Sequence, residues 1–152
     1  MLAALLICSV IGISDGDTLS APGVSLMGLP NVAVRLTEID APERAQSYGA
    51  PSKQNLSALC FRKSAKVRPI SLDRYGRTVA HVACDGRDAT AEQVREGMAW
   101  VFVRYAEKGS TLRGLKRDAR ASRRGIWADV QPVAPWEWRR GAASCRHTQV
   151  RG

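Results

Sequence analysis

The sequence has no C-x-x-C pair; its four cysteines, Cys8, Cys60, Cys84 and Cys145, stand far apart. That spacing argues against a zinc finger or ribbon, which needs thiolates close enough to share one ion. No apolar run is long enough to cross a bilayer. The longest, near Met1, falls far short of the roughly 20 residues a spanning helix needs. There is no internal repeat and no long low-complexity segment, so a solenoid or a disordered linker protein is excluded. Acidic residues are scarce, at 14 against 23 Lys and Arg, for a net charge of +9. The excess is lopsided: residues 101–152 hold twelve Lys/Arg against four Asp/Glu and so carry eight of those nine charges. A basic face of this kind attracts polyanions, because phosphate contacts release condensed counterions. Charge alone leaves nucleic acid, an acidic membrane surface and plain solubility open.

What is present suits one globular domain. The chain has 152 residues, 45% of them apolar, enough to bury a core without depending on disulfides. Residues 1–7 read either as the apolar part of a secretory leader without its basic flank or as a leading strand. Residues 8–128 read as the folded domain and 129–152 as a basic tail rich in Trp and Pro. Two cysteine states stay open: disulfides in a secreted or periplasmic protein, or buried thiols in a cytoplasmic one.

Asp15-Gly16-Asp17 parts two β-prone runs, 9–14 and 18–20, and predicts a hairpin turn. Residues 32–39 alternate as a half-buried strand that Pro42 stops. Residues 44–51 read as a loop. A helix is expected over 52–62 with Ser52 as its N-cap. Strands follow at 65–72 and 78–84, joined by the turn Asp73-Arg74-Tyr75-Gly76-Arg77. A helix over 89–96 ends at Gly97, and 98–105 is apolar and extended or irregular. A third helix, over 111–124, is capped by Ser110, turns Leu112, Leu115 and Ala119 inward, and is closed by Gly125. This order fits an α+β protein: a five-stranded Greek-key β-barrel of the OB-fold type with three packed helices.

Four segments bring acids and arginines together at turns or strand ends: Asp15-Gly16-Asp17-Thr18, residues 35–43, residues 73–77, and residues 94–100. Asp-Gly is a common turn and a strand Arg usually faces water, so each piece alone is ordinary; the conjunction carries the weight. Hydrolysing an anionic phosphodiester calls for a hard cation, a base for water and fixed positive charge on the phosphate oxygens. Asp17 and Asp40 suit a cation that prefers oxygen ligands. Arg35 and Arg77 can each offer paired donors. Glu43 is a credible base.

These segments resemble the thermonuclease family, whose type member is staphylococcal nuclease. In that family an Asp-Gly-Asp-Thr turn, an Arg-x-x-x-x-Asp-x-Pro-Glu strand end and an Asp-x-Tyr-Gly-Arg turn follow one another, as Asp15 to Thr18, Arg35 to Glu43 and Asp73 to Arg77 do here. The similarity runs over about residues 10–127, and the Pro135-Trp136-Glu137-Trp138-Arg139-Arg140 tail looks like that of Gram-negative members. The resemblance implies a Ca²⁺-dependent nuclease acting on DNA and RNA with little sequence preference and leaving 3′-phosphate ends. It implies that Asp17, Asp40 and the Ala41 carbonyl hold the metal; Ala41 stands where the family often has Thr, an exchange that keeps the carbonyl. Glu43 would position or deprotonate the attacking water. Arg35 and Arg77 would bind the scissile phosphate, while Arg74, Tyr75 and Tyr105 would bind the rest of the nucleotide. A neighbouring family tyrosine is Val103 here, so its stacking role does not carry over. The expected state is a monomer.

Two other readings compete: a non-catalytic nucleic-acid-binding OB-fold module, and a basic structural protein whose charge is only a solvated face. Both leave the full set of Asp17, Arg35, Asp40, Glu43 and Arg77 without a use. A disulfide between Cys60 and Cys84 is expected, because antiparallel pairing of strands 65–72 and 78–84 brings the start of one to the end of the other. Cys8 and Cys145 would then pair by elimination.

Overall fold

The structure, a computed structural model, describes residues 5–23, 33–102 and 111–148; of residues 142–148 it describes the helical backbone alone. Among the described residues the strands are β1 (Leu6–Ser9), β2 (Gly12–Asp15), β3 (Thr18–Ser20), β4 (Ala33–Leu36), β5 (Ile39–Asp40), β6 (Ser64–Leu72), β7 (Thr78–Cys84), β8 (Arg87–Asp88) and β9 (Trp100–Val101). The helices are α1 (Gly49–Cys60), α2 (Ala89–Arg95), α3 (Leu112–Ala121) and α4 (Pro135–Thr148), with a 3₁₀ turn at Gly125–Ala128.

The main sheet runs β1-β6-β7-β4-β3-β2, with β8 paired to β7. Its two ends are consecutive in the chain. Between them Val10 donates its N–H to Lys63 O and Ile11 donates to Ser20 O, so one bent segment serves both edges. All pairs are antiparallel except β4 with β7, which sets Arg35 beside Val79 and Leu36 beside Ala80. A separate pair, β5 with β9, sets Asp40 opposite Trp100. The core lies inside the curl of the sheet and under α1 and α2: Leu19, Val34, Leu36, Leu56, Val67 and Val94 are fully buried. Strict alternation produces this, since every second residue of β7 turns inward.

The α+β class and the OB-type arrangement of sheet and helices agree with the expectation; the details need correction. Among the described residues the sheet is a half-open path of six strands rather than a closed five-stranded barrel, and there are four α-helices, not three. The strand expected over 32–39 breaks at Thr37-Glu38, where Glu38 takes the left-handed conformation (φ 68°) and turns the chain into β5. Ser52 is not the N-cap. Helix α1 begins at Gly49, and Pro51 sits in its first turn, where its missing N–H costs nothing. Buried Ser52 donates instead to Met98 O at 2.6 Å. Ser110 lies outside the described residues, and α3 follows Thr111. Gly125 (φ 52°) opens the 3₁₀ turn that buries Ile126 and Trp127. The segment expected as a tail folds in part into α4, with Pro135 at its first position.

Cys60 and Cys84 form a disulfide, with Cα atoms 5.3 Å apart, in the register that pairs Ala65 with Cys84. The second expected bridge is not formed: Cys8 keeps a free thiol. Pairing by elimination holds only where every cysteine is bonded; Cys8 instead packs against the core as a small apolar group.

Candidate active site

The hairpin turn between β2 and β3 is held from behind. A Cβ on Gly16 would stand 1.8 Å from Ser52 Oγ and 2.9 Å from Ala41 Cβ, so only glycine lets the turn press against α1 and the β5 end. Gln93, fully buried on α2, donates its amide to Gly16 O at 2.6 Å and to Ser52 O at 3.1 Å. The turn therefore delivers Asp17 in one place. Asp17 Oδ2 accepts the Ala41 N–H at 2.8 Å, and Oδ1 accepts the Thr18 hydroxyl at 2.9 Å. Asp17 and Asp40 are 6% and 3% exposed, which few carboxylates are without a cation or several donors nearby.

Arg35, from the middle of β4, reaches both. Its Nη2 lies 3.7 Å from Asp17 Oδ2 and 3.7 Å from Asp40 Oδ1, while Nη1 donates to Leu36 O at 3.0 Å. The planar group is thus held on three sides where it lines the cleft. Arg77 is fixed by the Asp73 turn. Asp73 accepts the backbone N–H groups of Tyr75 and Arg77, both at 2.9 Å, and Arg77 Nε at 2.6 Å. Tyr75 stands out into solvent with the Arg74 and Arg77 guanidinium groups 5.5 and 5.4 Å from its ring centre.

Glu43 follows Pro42 in a loop that Gln46 pins, accepting the Glu43 N–H at 3.0 Å. A Cβ on Gly49 would stand 2.2 Å from Glu43 O, so that glycine lets α1 begin directly beneath the loop. The result is one open cleft of about 540 Å³ whose walls include Asp17, Arg35, Asp40, Ala41, Glu43, Arg74, Tyr75 and Arg77. Eight of the nine residues singled out from sequence thus share one cleft; Tyr105 lies outside the described residues. A second hollow shares Arg35, Arg74, Tyr75, Arg77 and Phe102, so the groove continues along that side.

Two further residues, Asp15 and Arg139, line the cleft. Asp15, expected only as a turn residue, stands beside Asp17. Its period-two relation to Asp17 was the available signal. Arg139, in the segment expected as a tail, lies on α4. It reaches Asp40 Oδ2 at 2.8 Å, Asp40 Oδ1 at 3.5 Å and Glu43 Oε1 at 2.5 Å, contacts 96 to 99 residues apart in sequence that nothing local announces.

The electrostatics follow from this packing. Burial, then the negative charge of Asp17, pushes the Asp15 carboxyl up to about 7. Burial also raises Asp40, against the opposing hydrogen bond from Arg139. For Asp17, burial is outweighed by a hydrogen bond with Asp15, the Arg35 charge and the Ala41 N–H, so its carboxyl is held below the usual range. The site therefore holds several acids of which one binds its proton near neutrality.

Asp15 takes up a proton more readily folded than unfolded, where its ordinary value is 3.8. Its contribution to stability is complete below about pH 4 and is lost as pH rises through about 7. Asp40 acts in the same direction. Urea unfolding of chelator-treated protein should show stability falling over this window, and Asp15→Asn should flatten the fall. An identical slope in wild type and variant would contradict it.

The buried carboxylates of Asp17 and Asp40 offer oxygen, the chemistry a hard divalent cation selects. Among the described residues, no group of three or more His, Cys, Asp or Glu side chains is already gathered as a ligand cage. Two carboxylates fit such an ion only with further oxygens, from backbone or water, completing the shell.

A family model described as staphylococcal nuclease homologue matches residues 33–129, which hold Arg35, Asp40, Glu43 and Arg77. The chain belongs to the staphylococcal nuclease family. An uncharacterized endonuclease of Haemophilus influenzae is 40% identical over 133 residues, 88% of this chain and 72% of that protein. An uncharacterized endonuclease of Escherichia coli O157:H7 is 38% identical over 131 residues, 86% of this chain and 82% of the relative. A micrococcal nuclease of Shigella flexneri is 34% identical over 143 residues, 88% of this chain and 80% of the relative. By homology this staphylococcal nuclease homologue is a hydrolytic nuclease, and no helix among its described residues is long and apolar enough to cross a membrane.

Proposed function

We propose that the protein hydrolyses phosphodiester bonds of DNA and RNA with little sequence preference, using a Ca²⁺ ion held by Asp17, Asp40 and the Ala41 carbonyl. One observation carries this reading: buried Asp17 and Asp40 lie against Arg35 in the cleft that also receives Arg77 and Glu43. When bound, the ion supplies Lewis-acid stabilisation of charge on the phosphate and lowers the cost of bringing an anionic substrate to two carboxylates. The residues do the rest. Arg35 and Arg77 clamp the scissile phosphate, each with two parallel N–H donors, and meet the charge that grows on its equatorial oxygens. Glu43 orients the attacking water and takes its proton. Arg74 and Tyr75, at the exposed lip, bind a neighbouring phosphate, and Tyr105 contributes to the nucleotide pocket. Recognition through phosphate explains low sequence preference, since phosphate contacts position a chain without reading bases.

We assign the chain to an exported compartment, periplasmic or extracellular, and to a monomeric state. The Cys60–Cys84 disulfide supports the first, because oxidising compartments keep such bonds.

Purified protein should cleave single-stranded DNA and RNA in the presence of Ca²⁺, leave 3′-phosphate ends and lose activity in chelator. Folded protein that cleaves neither substrate across a range of Ca²⁺ concentrations and alkaline pH would overturn the proposal.

A further inference from the structure

Helix α4 is docked at three points. Gln46 donates to Val133 O at 2.7 Å just before its start, and Ala134 and Pro135 are buried there. Trp136 then stacks on Phe102, centroids 5.1 Å apart and planes at 27°, and meets Trp100 edge-on at 5.6 Å. Arg139 comes three residues later, nearly one turn on, and so emerges from the face of the helix that Trp136 has anchored. The same loop residue, Gln46, that fixes the start of α4 also fixes Glu43. The helix and the acids it approaches are thus held in one frame.

At the end of that frame the Arg139 guanidinium occupies the carboxylates. Nη2 lies 2.8 Å from Asp40 Oδ2, and Nη1 lies 2.5 Å from Glu43 Oε1. Arg35 stands farther off, at 3.7 Å from Asp17 and from Asp40, so among the described residues Arg139 is the cation in closest contact with Asp40. An ion bound to Asp40 at the usual oxygen distance of roughly 2.3–2.6 Å would share that carboxylate with the guanidinium. Two cations on one carboxylate repel each other, strongly so where water is partly excluded. The Arg139 side chain is 45% exposed, so it can swing toward solvent without the helix leaving its dock.

We propose that Arg139 is the resident cation of the metal-free site: its guanidinium neutralises Asp40 and Glu43, and a divalent metal enters by exchanging with it. Arg139 thereby sets the metal affinity, acting through the ligands rather than on the substrate. The inference rests on the metal-site reading of Asp40 given above.

Ca²⁺ titration by calorimetry, on the full chain without nucleic acid, separates the two. Wild type should bind Ca²⁺, and Asp40→Ala should lose most of that binding. Arg139→Gln should bind about tenfold more tightly, because the competing charge is gone. Arg139→Lys, which keeps the charge, should stay near wild type. In chelator Arg139→Gln should melt below wild type, with its carboxylates uncompensated, and Ca²⁺ should raise its Tm by more than it raises that of wild type. Arg139→Met, which keeps the aliphatic stem, serves if the Gln variant does not fold. Wild-type binding through Asp40 with no tightening in either neutral variant overturns the inference and leaves the metal site standing. No Ca²⁺ binding by wild type or variant overturns both.

Discussion

Arg35→Lys is expected to lower kcat by about two to three orders of magnitude, the cost of losing one well-aimed donor group from a transition-state clamp. The geometry explains why the conservative exchange should be so damaging. Arg35 spends one Nη1 donor on Leu36 O and faces Asp17 and Asp40 with Nη2. This leaves a planar group held in place in the wall of the cleft. A lysine would keep the positive charge that two buried aspartates need, so the fold should survive. It would bring a single mobile ammonium in place of a fixed fork. Steady-state kinetics with a short single-stranded substrate, beside a thermal melt, checks both halves. A variant that turns over at the wild-type rate would remove Arg35 from the clamp.

The second large effect is on stability. Replacing Cys60 and Cys84 together by alanine should cost about 3 kcal/mol of unfolding free energy, from the extra freedom of a chain no longer closed between residues 24 apart. Both cysteines are fully buried, so alanine adds a small loss of packing in the same direction. The bridge ties the C-terminal end of α1 to the end of β7, and the other end of α1 begins under Glu43. The variant should therefore lose activity at a lower temperature than wild type while keeping it in the cold. Urea unfolding of the double variant and of wild type, both without reductant, measures the difference; equal midpoints would refute the effect.

Much of this was legible because the relevant forces are local. Alternating apolar residues announced β6 and β7, and an Asp-Gly turn between β-prone runs announced the hairpin that carries Asp17. Those two facts together placed Cys60 near Cys84 and put the acids and arginines at neighbouring strand ends. The illegible parts depend on distant partners. The two-residue strands β5, β8 and β9 are too short to show a period. Pro135 reads as a helix breaker unless it stands first in a helix, which here depends on Trp136 finding Phe102 and Trp100. The contact of Arg139 with Asp40 spans 99 residues, and the packing of buried Gln93 against Gly16 spans 77; neither leaves a trace in local pattern.

A crystal structure with Ca²⁺ and a phosphorothioate dinucleotide that resists cleavage would show directly whether this cleft holds metal and substrate. One ion is expected at about 2.3–2.6 Å from oxygens of Asp17, Asp40 and the Ala41 carbonyl. A phosphate oxygen is expected within hydrogen-bond reach of Arg35 and Arg77, with Glu43 facing a water in line with the scissile bond. An ion bound away from Asp17 and Asp40, or a dinucleotide seated outside this cleft, would contradict this expectation.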